Sequence, residues 1–154
     1  MKNKFIIFLL FTALSQTFLF PVSSHALFSI FGSRYQSVKP VNGEVVIPLK
    51  EINDGKAHYY SFNEQNSSIR FFVVKSKDNI LRAAFDACDV CFPERKGYSQ
   101  AGDYMICNNC GQKFHSNQIN VLKGGCNPAP LMRKLVGNNL VIPIAAIRSG
   151  ISYF

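Results

Sequence analysis

What the chain has little of narrows it first. Glycine and proline number only ten and seven in 154 residues, which excludes a fibrous protein. Charged side chains make up 17% and hydrophobic ones 47%, the wrong balance for a disordered chain. The length leaves no room for a multi-domain enzyme. Helical periodicity is almost absent; Pro128 to Leu135 is the one short candidate. Hydrolytic constellations are missing as well. No serine or histidine stands in a nucleophile-elbow frame, and Gly124-Gly125 lacks a phosphate-loop context. Asp86 and Asp89 flank Cys88, three apart on a short turn, and read as turn hydrogen-bonding groups rather than an acid/base pair.

Residues 1–26 read as an address. Lys2 and Lys4 give a positive start, Phe5 to Leu14 is a nearly unbroken apolar run, and Ser24-His25-Ala26 places small residues around a cut site. This is the pattern of a secretory signal peptide cleaved after Ala26, with export to the periplasm as the expectation. The alternative is an uncleaved anchor in the inner membrane, facing the periplasm; the apolar run is short for a span. No cysteine lies near the cut, which argues against a lipoprotein anchor. Without the leader's two lysines, 15 basic side chains face 9 acidic ones, about +6 in place of the formal +8. The basic residues are scattered, and export argues against nucleic acid as a partner.

Five cysteines remain, at 88, 91, 107, 110 and 126: two C-x2-C pairs fifteen residues apart, then a lone cysteine after another fifteen. An odd count suits simple disulfides poorly. Two close pairs at this separation fall within the spacing of a tetrathiolate metal site, because two intervening residues let one turn aim both sulfurs at one point. Gly97 to Ile106 reads as strand, Gly-Asp turn, strand, so that Cys107 opens a knuckle at a hairpin's end. In Cys107-Asn108-Asn109-Cys110-Gly111, Asn and Gly tolerate the positive φ a knuckle needs, with backbone amides expected to face the sulfurs. Gly124-Gly125 before Cys126 is expected to allow close backbone approach to a metal or cluster.

The rest predicts a mostly β fold, with a small α+β arrangement as the variant: a short-stranded β scaffold carrying a zinc-ribbon-like C-x2-C hairpin insert. Residues 27–39 are expected to form a flexible N-terminal arm and residues 40–154 one cysteine-rich domain. Strand-like runs fall at Val45–Ile47, His58–Phe62, Ile69–Val74 and Ile80–Phe85, with polar turns between them. An internal echo links Val46-Ile47-Pro48-Leu49 through Gly55 with Val141-Ile142-Pro143-Ile144 through Gly150, both V-I-P-Φ-x-x-I-x-x-G. Proline confines each site to an edge or strand end, so a strand running into one helical turn fits both, with an aromatic strand expected to follow each.

Several stretches carry a family resemblance: Arg70 to Lys75, Arg82 to Cys91, Lys96-Gly97-Tyr98, Met105 to Gly111, and Gly124 to Leu131. Together they resemble the "membrane iron–sulfur-containing protein, FtrD-like" domain over roughly residues 40 to 154. The resemblance implies an exported iron–sulfur- or metal-binding module, an accessory or electron-transfer component of iron transport, with an inner-membrane iron-transport or redox protein as partner. Unlike fused members, this chain has no transmembrane segments beyond the leader and no ferredoxin-type cysteine runs, so that the electron-wiring half is missing or supplied by another protein. The residues themselves leave the cofactor open. Cys88, Cys91, Cys107, Cys110 and Cys126 suit a two-iron or four-iron cluster or bound iron, which the resemblance favours. They also suit a closed zinc site. Copper or ferrous iron held by some thiolates with Met105, His115 or His58 is a further alternative. A dithiol–disulfide exchanger is the minor enzymatic reading, and structural disulfides with one thiol left over the plainest.

Overall fold

The computed structural model describes residues 33–154. The expected leader, its cut site and residues 27–32 of the expected arm lie outside the described residues.

The chain builds three small sheets. The first has the order β1-β3-β4-β5, with β1 at Gln36–Ser37, β3 at His58–Glu64, β4 at Ser67–Lys75 and β5 at Leu81–Phe85. The second places β10 (Asn139–Pro143) between β2 (Glu44–Pro48) and β9 (Lys134–Val136). The third is a meander of β6 (Tyr98–Ala101), β7 (Tyr104–Cys107) and β8 (Lys113–His115). The domain is mostly β, as its composition and strand-like runs predict.

Strand β4 explains how the sheets assemble. Its side chains alternate in direction, yet both sets are buried, which is why the sequence there is continuously apolar. Ile69, Phe71 and Val73 join one core with Val45, Ile47, Leu140, Ile142 and Ile147. Phe72 and Val74 join a second core with Tyr98, Met105, Phe114 and three of the cysteines. The first sheet is thus covered by the second sheet on one face and by the cysteine-bearing meander on the other. Phe71 and Phe72 are both fully buried, each worth about 1.5–3 kcal/mol of transfer free energy.

The two halves of the internal echo pair with each other. β2 and β10 are antiparallel with Val46 opposite Val141 and Ile47 opposite Leu140. Val46 and Val141 are also equivalent positions of the echo, so a local two-fold passes between them. Each strand ends in its proline and runs straight into a helical turn: the 3-10 turn Leu49–Glu51 after Pro48, and α1 (Ile144–Arg148) after Pro143. Ile52 and Ile147, equivalent in the echo, are both fully buried. The aromatic strand expected after each unit exists only once. β3 follows the first, whereas Ile151–Tyr153 after the second is a 3-10 turn.

Two other expectations are corrected. Pro128 to Leu135 is not helical. Ala129 donates to the Ala87 carbonyl at 2.9 Å, Phe85 donates to the Ala129 carbonyl at 2.8 Å, and Leu131 donates to the Ala83 carbonyl at 3.2 Å. The segment lies extended along β5, and Pro130 falls between the two donating residues, where no N–H is required. Nor are the described residues of the arm loose. Arg34 and Tyr35 bond Asp86, β1 runs parallel to β3, and Val38 donates to the Ser61 carbonyl at 2.9 Å. Short-range patterning could not show this, because every partner lies far along the chain.

Gly150 closes the first core. Its φ of −96° is open to any residue, but a β-carbon there would meet the Phe85 ring at 2.3 Å. Gly150→Ala is therefore expected to cost about 1–3 kcal/mol by overpacking, read as a lower denaturant midpoint at unchanged slope.

Candidate metal centre

Three separate chain segments deliver the five sulfurs. Cys88 and Cys91 follow β5 directly, on the turn that ends in the 3-10 turn Phe92–Glu94. Cys107 is the last residue of β7 and opposes Tyr98 across the meander. Gly111 N–H donates to the Cys107 carbonyl at 2.8 Å, and Cys107 N–H to the Gln112 carbonyl at 2.9 Å, which closes the knuckle that carries Cys110. Cys126 is brought alongside Cys88 and Cys91 because residues 129–131 are zipped onto β5. Cys88, Cys91 and Cys107 are buried, Cys126 half-buried and Cys110 exposed; all five are free thiols.

The sulfurs fall into two overlapping sets, each with all its Sγ atoms within 4.8 Å of one another: Cys88, Cys91 and Cys126, and Cys91, Cys107 and Cys110. Either set is able to hold a metal ion. Cys91 and Cys126 are 3.7 Å apart, the separation of two sulfurs on one tetrahedral ion, about 3.8 Å for bonds of ~2.3 Å. Among the described residues no four sulfurs share such proximity, so a closed four-cysteine site around a single ion is not preformed. An all-thiolate donor set of this density suits soft or borderline metals and iron–sulfur chemistry.

The surroundings tune the sulfurs unequally. Burial works to raise the Cys88 thiol, but the neighbouring Tyr98 hydroxyl and the N–H groups of Cys91 and Val90 hold it below the ordinary thiol value. The Cys91 amide lies 3.2 Å from the Cys88 sulfur. Burial, then the adjacent Cys110 and Cys91 sulfurs, push the Cys126 thiol up to about 12. Metal binding must therefore displace a proton there. Tyr98 sits under the cluster, fully buried, with its hydroxyl donating to the Cys126 carbonyl at 2.6 Å. Burial and the Cys88 sulfur raise this phenol strongly, so it stays protonated and serves as a donor. A water-sized cavity borders Cys88, Cys91, Cys107, Asp86 and Tyr98.

Asp86 is the side chain whose role the sequence concealed. It does not serve its own turn. Its carboxylate accepts from Tyr98 N–H at 2.7 Å, from the Tyr35 hydroxyl at 2.6 Å and from the Arg34 guanidinium at 3.1 Å. Burial raises its pKa, and the Tyr35 and Arg34 contacts oppose that rise. Arg34 also lies 3.8 Å over the Tyr59 ring and donates to the Tyr98 carbonyl. One carboxylate thus ties the N-terminal strap, the meander and the Cys88 turn together. Asp89 likewise leaves its turn, accepting from the Tyr153 hydroxyl at 2.7 Å.

The two histidines lie outside the sulfur sets, whereas Met105 is wholly buried in the second core beside three of the cysteines. His58 bonds Asp54 at 2.8 Å, and the His115 ring caps its own turn through Asn117 N–H and stacks edge-on against Tyr104. Gly111 supplies the positive φ expected of the knuckle; Gly124 and Gly125 also have positive φ, and no β-carbon on the three would lie within 4 Å of a sulfur. The amide facing a sulfur belongs to the first pair, through Cys91, and not to the knuckle.

A mostly β domain that gathers five thiols at the junction of its sheets is a cysteine-rich metal-binding module in class. The chain belongs to the family described as membrane iron-sulfur containing protein, FtrD-like, whose pattern matches residues 52–154. No curated protein matched the chain. Among solved structures it is similar to the quaternary ammonium Rieske monooxygenase CntA in complex with an inhibitor, at 15% identity and a TM-score of 0.41, over 63% of this chain and 29% of that one. The same enzyme in complex with gamma-butyrobetaine is similar at 15% identity and a TM-score of 0.41, over 63% of this chain and 30% of that one. A third structure of a quaternary ammonium Rieske monooxygenase, described in relation to carnitine oxidation by gut microbiota, gives 16% identity and the same TM-score, over 63% and 29%. The chain spans less than a third of those proteins, and likeness of this degree carries no argument about chemistry. Among the described residues no helix is long and apolar enough to cross a membrane.

Proposed function

We propose that the protein is an exported iron–sulfur or thiolate-iron module that serves iron transport as an electron-transfer accessory. The observation that carries the reading is the convergence of five thiols from three chain segments on one site, in a chain of the FtrD-like family. When bound, such a centre supplies one-electron transfer. The protein's own part is to hold Cys88, Cys91 and Cys107 away from solvent and to leave Cys110 at the surface, where a partner can approach. Tyr98 donates at the inner side and limits the reorganisation of charge around the sulfurs. The leader directs the chain outward, and the partner is an inner-membrane iron-transport or redox protein.

The test is anaerobic purification from the periplasmic fraction. Iron with acid-labile sulfide, a visible thiolate-to-metal band that bleaches on reduction, and an intact mass beginning at Leu27 are expected. Stoichiometric zinc without colour would overturn the redox role, and a mass retaining Met1 would overturn the cleavage.

A further inference from the structure

The sulfur geometry differs from that of a four-ligand site with a spare cysteine. Cys91 belongs to both three-sulfur sets, and the remaining four sulfurs divide two and two on either side of it. The division has a structural origin. Cys88 and Cys126 stand on the β5 side, one following the strand and the other on the segment zipped along it. Cys107 and Cys110 stand on the knuckle of the meander. Cys91, buried between them, is the one sulfur common to both sets, with Cys110 and Cys126 as its neighbours from the two scaffolds.

A thiolate sulfur has several lone pairs and is able to bind two soft ions at once. A mononuclear tetrathiolate needs four sulfurs mutually about 3.8 Å apart. Here three and three are supplied around one shared atom. We infer that Cys91 is a bridging thiolate between two metal positions, one completed by Cys88 and Cys126 and the other by Cys107 and Cys110. The site takes a pair of thiophilic ions. Each ion has three protein sulfurs, enough for a trigonal soft ion, or one position short of a tetrahedron and open to a ligand from outside the chain. The inference rests on the metal-binding reading above and assigns how the five sulfurs divide between two ions.

Cadmium alone is the probe, added to the metal-free exported chain under reducing, anaerobic conditions, with sulfur-to-metal absorption giving the stoichiometry. Two equivalents per chain are expected. NMR of the spin-active cadmium isotope should then show two resonances, split by coupling through the shared sulfur. Cys126→Ser is expected to retain one equivalent and a single unsplit resonance, from the knuckle-side position. Cys91→Ser should lose the coupling and bind at most one equivalent. Saturation of the unsubstituted chain at one equivalent, or two resonances without coupling, would overturn the bridge while leaving the metal-binding reading intact. No binding would overturn both.

Discussion

A Cys107→Ser chain is expected to bind metal at its knuckle-side position about a hundredfold more weakly than the unsubstituted protein. Dividing the roughly 10–16 kcal/mol of a structural four-ligand thiolate site evenly gives about 2.5–4 kcal/mol for each sulfur. Serine replaces a soft anionic donor with a hard neutral hydroxyl and lengthens nothing else. Cys107 is the apt position because its place is fixed independently of any metal. It ends β7, opposes Tyr98, and both its backbone groups are bonded within the knuckle. The serine chain should therefore keep its fold, and near-ultraviolet circular dichroism should match that of the unsubstituted protein. Affinity is read by competition with a chromophoric chelator. His115→Ala is the control; its ring faces Tyr104 and its own turn, so it should bind metal normally. Equal affinity at both positions in the Cys107 variant would show that the knuckle sulfurs are not ligands.

The contrast between those two residues shows what was legible in the sequence. Cysteine spacing within each C-x2-C pair is a local property, set by one turn, and both pairs appear where the spacing puts them. The V-I-P echo is local as well, and each copy does turn from strand into helix at its proline. Cys126 is different. Its position depends on residues 129–131 pairing with β5, more than forty positions upstream of them, and no periodicity records that pairing. Pro128 to Leu135 read instead as a short helix, and Gly124-Gly125 as room for a metal or cluster. Asp86 was opaque for the same reason. Its partners Tyr35 and Arg34 are 51 and 52 residues away, within a segment whose polar, irregular sequence resembles a free arm. The overlap of the two sulfur sets at Cys91 is a third case, since spacing gives pairs but not which sulfur stands between them.

Asp86 also makes Gly97 the most sensitive glycine beside the site. Gly97 has a φ of +63°, and a β-carbon on it would lie 2.3 Å from one oxygen of the Asp86 carboxylate and 2.6 Å from its carbon. Gly97→Ala is expected to cost about 2–5 kcal/mol, combining about 1–2 for a side chain in the left-handed region with about 1–3 for the overlap. The carboxylate has no free direction in which to yield. Tyr98 N–H holds one oxygen, while Tyr35 and Arg34 hold the other. Moving it would orphan a buried amide and release the strap. Gly102 separates the two contributions. Its φ is +57° and nothing lies within 4 Å of its β-carbon position, so Gly102→Ala should show the backbone cost alone. A larger fall in denaturant midpoint for Gly97→Ala than for Gly102→Ala measures the Asp86 contact; equal falls would refute it. Because Tyr98 follows Gly97 and bonds to the Cys126 carbonyl, the Gly97 variant should also bind metal more weakly under conditions where it remains folded. Gly102→Ala, at the far end of the hairpin, should not. The same carboxylate would then be shown to fix both the strap and the floor of the sulfur site.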